Sequence, residues 1–150
     1  MHKRINNFDV IANYRVIKMI ANGGFGTVYF VRELGSNMPM AMKVEKSNKT
    51  KNSIEIEYTI LKQLQSSLYF PRLFGHGTIN DLSYIVMELL GPSLSRVKSY
   101  LPDGKFSLST SLRLGIEIVC LLREFHARGF VHRDIKPANF LIRPDSPSPI

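Results

Sequence analysis

The sequence predicts an α+β fold: an antiparallel sheet with a single helix, followed by a largely helical part. Two observations carry this. Short runs rich in β-branched and aromatic residues, punctuated by Gly and Asn, fill the first half. The second half contains one long run with helical rather than alternating periodicity. Between them Gly91-Pro92-Ser93 breaks both patterns and reads as a linker between two subdomains.

Taken in order, residues 14–20 alternate as a strand and 27–34 as a second, with Gly23-Gly24-Phe25-Gly26 between them. Gly35-Ser36-Asn37 is a turn signal, and 38–45 reads as a third strand. A polar loop spans 46–51. Asn52, with Glu55 three residues on, is a capping pair for a helix over 53–65. Residues 73–79 and 83–89 form a strand pair around an Asn80-Asp81 turn. A short helix is expected over 94–100. A long one is expected over 108–128, entered through Ser107 as N-cap and stopped by Gly129. Residues 140–142 read as an apolar strand, and the proline-rich 144–149 as a loop.

On the long helix, Arg113, Glu117, Glu124 and Arg128 fall within about 60° of one another at roughly 100° per residue. The rest of its circumference is apolar, through Leu112, Leu114, Ile116, Ile118, Val119, Leu121, Leu122 and Phe125. The elements before it cannot cover such a helix on both flanks, so it is expected to belong to a larger domain.

A hydrophobic content of 44% fits a globular chain and argues against disorder. The net charge of +8 comes from dispersed Lys and Arg, without the aromatic-rich basic motif of a nucleic-acid binder, so no nucleic-acid partner is expected. The single cysteine, Cys120, leaves no disulfide framework and sits in an apolar run as a small hydrophobe. No run reaches the roughly eighteen apolar residues of a membrane span, and the first residues have no signal-peptide stretch. A cytoplasmic or nuclear setting is expected.

Three constellations point to chemistry. Gly23 and Gly26, between two strands, would let backbone N–H groups approach phosphates without an intervening Cβ. On the third strand, alternation sets Ala41, Lys43 and Glu45 on one face and Met40, Met42 and Val44 on the other. A carboxylate on the following helix would hold the Lys43 ammonium; Glu57 is the first candidate and Glu55 its rival. The octet His132-Arg133-Asp134-Ile135-Lys136-Pro137-Ala138-Asn139 is the most specific signal in the chain.

That octet matches the H-R-D-x-K-x-x-N catalytic loop, Ala41-Met42-Lys43-Val44 stands where V-A-I-K belongs, and residues 20–28 follow the glycine-rich loop G-x-G-x-x-G-x-V with Ala21 at its first glycine. Over residues 14–143 the chain therefore resembles the first part of a eukaryotic protein kinase domain. It is most similar to the casein kinase I group, including tau-tubulin kinase-like and nematode-expanded members, through Val86-Met87-Glu88-Leu89-Leu90-Gly91-Pro92-Ser93-Leu94, residues 132–142 and Phe70-Pro71. The resemblance implies a protein kinase-like fold: an extension over 1–13, an N-lobe and hinge over 14–90, and part of a C-lobe over 91–150.

It also implies ATP, Mg2+ and a protein substrate, with transfer to Ser or Thr; the group's preference for an acidic or pre-phosphorylated setting depends on basic residues outside the matched part and is not carried over. Ile20, Ala21, Gly23, Gly26, Val28, Ala41, Lys43, Glu57, Met87 (as gatekeeper), Glu88 and Leu90 would bind ATP, Leu90 through its backbone. Asp134 would accept the hydroxyl proton, Lys136 would neutralise the transferred phosphoryl, and Asn139 would hold a metal ion. His132 has a packing role as an alternative reading, and Arg133 a pairing one. The sequence contains no Asp-Phe-Gly, so the expectation is a truncated kinase chain, inactive alone, with a non-catalytic nucleotide- or partner-binding module as the alternative.

Overall fold

The computed structural model describes residues 5–24, 26–46 and 53–144. The expected Asn52 cap, the 46–51 loop beyond its first residue, and all of the proline-rich end except Pro144 lie outside these. The chain divides into two compact units, Met1–Leu89 and Leu90–Ile150.

The first unit is built on β1 (Val10–Ile11), β2 (Tyr14–Gly23), β3 (Gly26–Glu33), β4 (Pro39–Lys46), β5 (Leu73–Ile79) and β6 (Leu82–Glu88), with one helix, α1 (Ser53–Gln63). The strands form one antiparallel sheet in the order β1-β2-β3-β4-β6-β5. Its core is the alternate set Val16, Val31, Met40, Met42, Val44, Tyr84 and Val86, closed by Ile11. The 40/42/44 parity read from the sequence is thus the core face of β4. Ile54, Leu61 and the following Leu64 are the buried residues of α1 and its exit. Helix α1 packs on β4, β5 and β6, and Tyr58 stacks on His76 of β5 with ring centroids 3.6 Å apart.

Two differences from the sequence expectation have local causes. Strand β1 is only two residues long, too short for a periodic signal, and exists through its pairing with Tyr14 and Arg15. Helix α1 stops at Gln63 rather than at 65: Leu64 N donates to the Leu61 carbonyl three residues back at 3.1 Å, which tightens the exit, and Gln65 then serves as a clamp. Its Nε2 donates to the carbonyls of Leu61 and Pro71, both at 3.0 Å, and its Oε1 accepts from Leu73 N at 2.8 Å. Asn37 and Asn80 do take left-handed φ values (58° and 53°), as the turns at those places require.

The second unit holds α2 (Leu94–Ser99), α3 (Leu108–Ala127) and a single 3-10 turn, Pro137–Asn139. Ser93 caps α2 by accepting from Arg96 N at 3.3 Å, and Ser107 caps α3 by accepting from Thr110 N at 3.1 Å. After α3, Gly129 takes φ +83°, the left-handed stop expected of it. Leu121 and Phe125 are buried, whereas Leu108, Leu112, Ile116 and Val119 form a stripe with exposures from 60% to 76%. Residues 140–142 do not form a strand. Leu141 makes an isolated bridge to Ser93, and main-chain bonds run from Gly91 N to Ile142 O (2.7 Å), Ile142 N to Pro92 O (3.0 Å) and Leu94 N to Phe140 O (2.8 Å). Apolarity alone suggested a strand there; the partner is an irregular segment, so no ladder forms. Among the described residues no helix is long and apolar enough to cross a membrane.

Candidate active site

In the first unit the strand register gathers most of the sequence-predicted nucleotide residues. Ala21 is opposite Val28, Gly23 opposite Gly26, Val28 opposite Lys43, and Ala41 opposite Met87. Ile20 lies at a register shift between Met19 and Ala21. Ala21 itself is part of the β2–β3 ladder, an extended conformation open to any residue, so alanine in place of glycine carries no backbone strain there.

The two glycines of the hairpin differ. A Cβ at Gly23 would meet nothing within 4 Å. At Gly26 φ is +112°, and a Cβ would lie 2.6 Å from the Val44 carbonyl oxygen. Gly26 is therefore required by the close approach of β3 to β4, before any ligand is considered.

Lys43 forms an ion pair with Glu57 across the β4–α1 interface, and Glu55 does not take that role. The lysine side chain is mostly buried and the carboxylate about a third exposed. The helix is held by a residue the sequence analysis placed on the Lys43 face without a role. Glu45 accepts from Ser53 Oγ at 2.5 Å and from Ile54 N at 3.2 Å, so a strand carboxylate caps the first turn of α1. The pairing is between elements, and no local capping pattern could have signalled it. A negative charge at that end also suits the helix dipole. Glu88 ties the end of β6 to the approach to β5: its N donates to Arg72 O at 2.8 Å and its Oε2 accepts from Arg72 N at 3.1 Å.

In the second unit the expected catalytic residues converge within one loop. Asn139 donates through Nδ2 to both the carbonyl of Asp134 (2.7 Å) and its Oδ2 (3.0 Å). Lys136 Nζ lies 2.8 Å from the same Oδ2. These contacts, the Lys136 hydrogen bond first and then that of Asn139, hold the Asp134 carboxyl below its ordinary range. The 3-10 turn, with Pro137 in its first position, returns Asn139 toward Asp134.

His132 has the packing role. Its Nδ1 accepts from Asp134 N at 3.3 Å, and its ring lies 5.8 Å from Phe125 and 6.5 Å, stacked, from Phe140. Phe125 and Phe140 are buried, so the loop is anchored to α3 and to its own exit. Phe140 was not singled out in the sequence, where it is one member of an apolar run. Arg133 takes φ +64°, an uncommon conformation for a side chain of its size, and directs the chain between the anchored His132 and Asp134. Leu90 belongs to this second unit and is partly buried.

Comparison with known proteins places these residues in context. The sequence pattern of the protein kinase domain matches residues 14–148. A curated relative from Dictyostelium discoideum, named a probable serine/threonine-protein kinase, is 40% identical over 129 residues. The match takes in 86% of this chain and 26% of the relative, so the chain spans about a quarter of that protein's length.

Proposed function

The chain belongs to the protein kinase domain family, and from that premise we propose that it transfers the γ-phosphoryl group of ATP to a serine or threonine hydroxyl of a protein, in the manner of the casein kinase I group. The observation that best supports this is the convergence of Lys136 and Asn139 on the Asp134 carboxylate. A carboxylate held in one orientation by two donors can accept a hydrogen bond from the attacking hydroxyl and position it. In this reading residues 14–90 are N-lobe and hinge, 91–150 the first part of a C-lobe, and 1–13 an extension.

The hydroxyl oxygen of the substrate attacks the γ-phosphorus in line, the bond from that phosphorus to the β–γ bridging oxygen breaks, and ADP leaves. Asp134 orients the hydroxyl and takes its proton. Lys136 offsets charge on the phosphoryl oxygens in flight. Lys43, steadied by Glu57, would hold the α- and β-phosphates, with Gly23 offering an unobstructed backbone approach. Ala41, Met87, Val28 and Ile20 supply the apolar surface for the base, and Glu88 and Leu90 the segment that would meet its edge.

Mg2+ neutralises phosphate charge when bound. The amide oxygen of Asn139 is a hard donor of the kind that ion takes, beside phosphate oxygens and water. Among the described residues no group of three or more His, Cys, Asp or Glu side chains could hold a metal. With no Asp-Phe-Gly in these 150 residues, transfer by them alone is expected to be drastically slowed.

The test has two parts. Nucleotide with Mg2+ should raise the melting temperature of the 150-residue chain, and Lys43→Ala should remove that rise; no stabilisation of the wild type would defeat the nucleotide assignment. The full gene product should phosphorylate a serine-containing acidic protein, and Asp134→Asn should abolish transfer. Rapid turnover by the 150 residues alone would overturn their assigned dependence on a further metal-holding residue.

A further inference from the structure

The catalytic reading leaves unused a cationic group on the sheet of the first unit. Arg15 of β2 and Arg32 of β3 are register partners, so their side chains leave the sheet on one face, directly opposite one another. Both line a cavity of about 150 Å³ with Ile17, Glu33, Leu34 and Asn37. The register shift after Val16 sets Lys18 opposite Phe30, two residues from Arg32, which adds a third cation on that side.

Arg32 is already oriented. Its guanidinium lies 5.5 Å from the centroid of the Phe30 ring, and its Nη1 donates to the Asn37 carbonyl at 2.8 Å. Among the described residues, neither Arg15 nor Arg32 is ion-paired with a carboxylate. Glu33, the one acid lining the cavity, accepts from Ser36 Oγ at 2.5 Å. Like charges directly opposite in an antiparallel pair destabilise it. With the Glu33 carboxylate counted, the lining still carries one more cation than anion, and the arrangement gains from an anion between the two guanidinium groups.

We propose that Arg15 and Arg32 form a binding site for a phosphate-class oxyanion. A single guanidinium fork saturates a carboxylate, whereas a tetrahedral dianion can accept from two forks at once, and the site offers two. Ile17 and Leu34 give it an apolar margin. A phosphate monoester could arrive free or on a side chain of a polypeptide. The proposal does not depend on the kinase reading, because none of its residues is assigned to nucleotide.

The test is titration of the protein with inorganic phosphate, followed by amide NMR shifts and referenced to chloride at matched ionic strength. Saturable shifts are expected around residues 15–17 and 31–34. Arg15→Gln and Arg32→Gln should each weaken binding roughly tenfold or more, as loss of a charge-assisted hydrogen bond does. Arg15 makes no side-chain hydrogen bond or ion pair among the described residues, so Arg15→Gln tests the site without disturbing a native contact. Lys43→Ala should leave these shifts in place. A phosphoserine peptide that binds more tightly than inorganic phosphate, while its unphosphorylated twin does not bind, assigns the source to a polypeptide; equal affinity assigns it to a free ester. Absence of saturable shifts, or their survival in the double variant Arg15→Gln/Arg32→Gln, would overturn the proposal.

Discussion

Glu45 of β4 and Ser53 of α1 are joined by a 2.5 Å hydrogen bond, and the same carboxylate accepts from Ile54 N. Two residues before Glu45 on its strand is Lys43, and four after Ser53 on its helix is Glu57, the ion-pair partner of Lys43. The carboxylate that starts the helix therefore also fixes the distance over which the Lys43–Glu57 pair must reach. Glu45→Ala is expected to cost about 1 kcal/mol of stability, as loss of a cap does. It should also weaken nucleotide binding, although Glu45 is assigned no ligand contact. Urea unfolding and nucleotide titration of the same variant would measure both; unchanged affinity would detach the cap from the site.

Gly26 and Gly23 should separate when each is replaced by alanine. Gly26→Ala puts a Cβ against the Val44 carbonyl at φ +112°, and a destabilisation of about 1–3 kcal/mol is expected. Gly23→Ala meets open space and should leave the melting temperature nearly unchanged while reducing nucleotide affinity. Thermal unfolding with and without nucleotide distinguishes the two.

Asp134 has a depressed carboxyl pKa, first through Lys136 and then through Asn139. A depressed folded-state value means that the stability contributed by the ionised group is present above the ordinary carboxylate range and is lost as pH falls through the lowered value. Lys136→Met should move the Asp134 titration upward. Carboxyl NMR of wild type and variant would show it, and the acid limb of the transfer rate should move in the same direction.

On α3, Leu112, Ile116 and Val119 are exposed along one side, a patch of the kind that drives association. Leu112→Glu combined with Ile116→Glu should reduce aggregation of the 150-residue chain while lowering its melting temperature by no more than a surface substitution does. Light scattering during a thermal scan reads both quantities; a large fall in melting temperature would mean that the face is buried in solution.

Local signals were legible. Ser107 and Gly129 bounded α3 because caps and left-handed stops depend on a few neighbouring residues, and the alternation of β4 separated Lys43 from Met42 without any knowledge of the fold. Glu57 stands ahead of Glu55 in the sequence only by its place in the run 57–61 of the amphipathic helix, and the ion pair with Lys43 decides between them. Glu45 could not be read as a cap, since its partners are eight and nine residues away across an element boundary. Strand β1 has no periodicity in two residues. Phe140-Leu141-Ile142 looked like a strand because buried apolar runs are ambiguous without their partner.

That partner gives the segment a second significance. A side chain at Gly91 would place its Cβ 2.9 Å from the Ile142 carbonyl oxygen, and Ile142 lies three residues after Asn139. A substitution at Gly91 would displace the exit of the loop that carries Asp134 and Asn139, although Gly91 touches no reacting group. If the proposed reading of that loop holds, genetic screens would then score position 91 among the lesions of Asp134 and Asn139, from which it is separate in sequence.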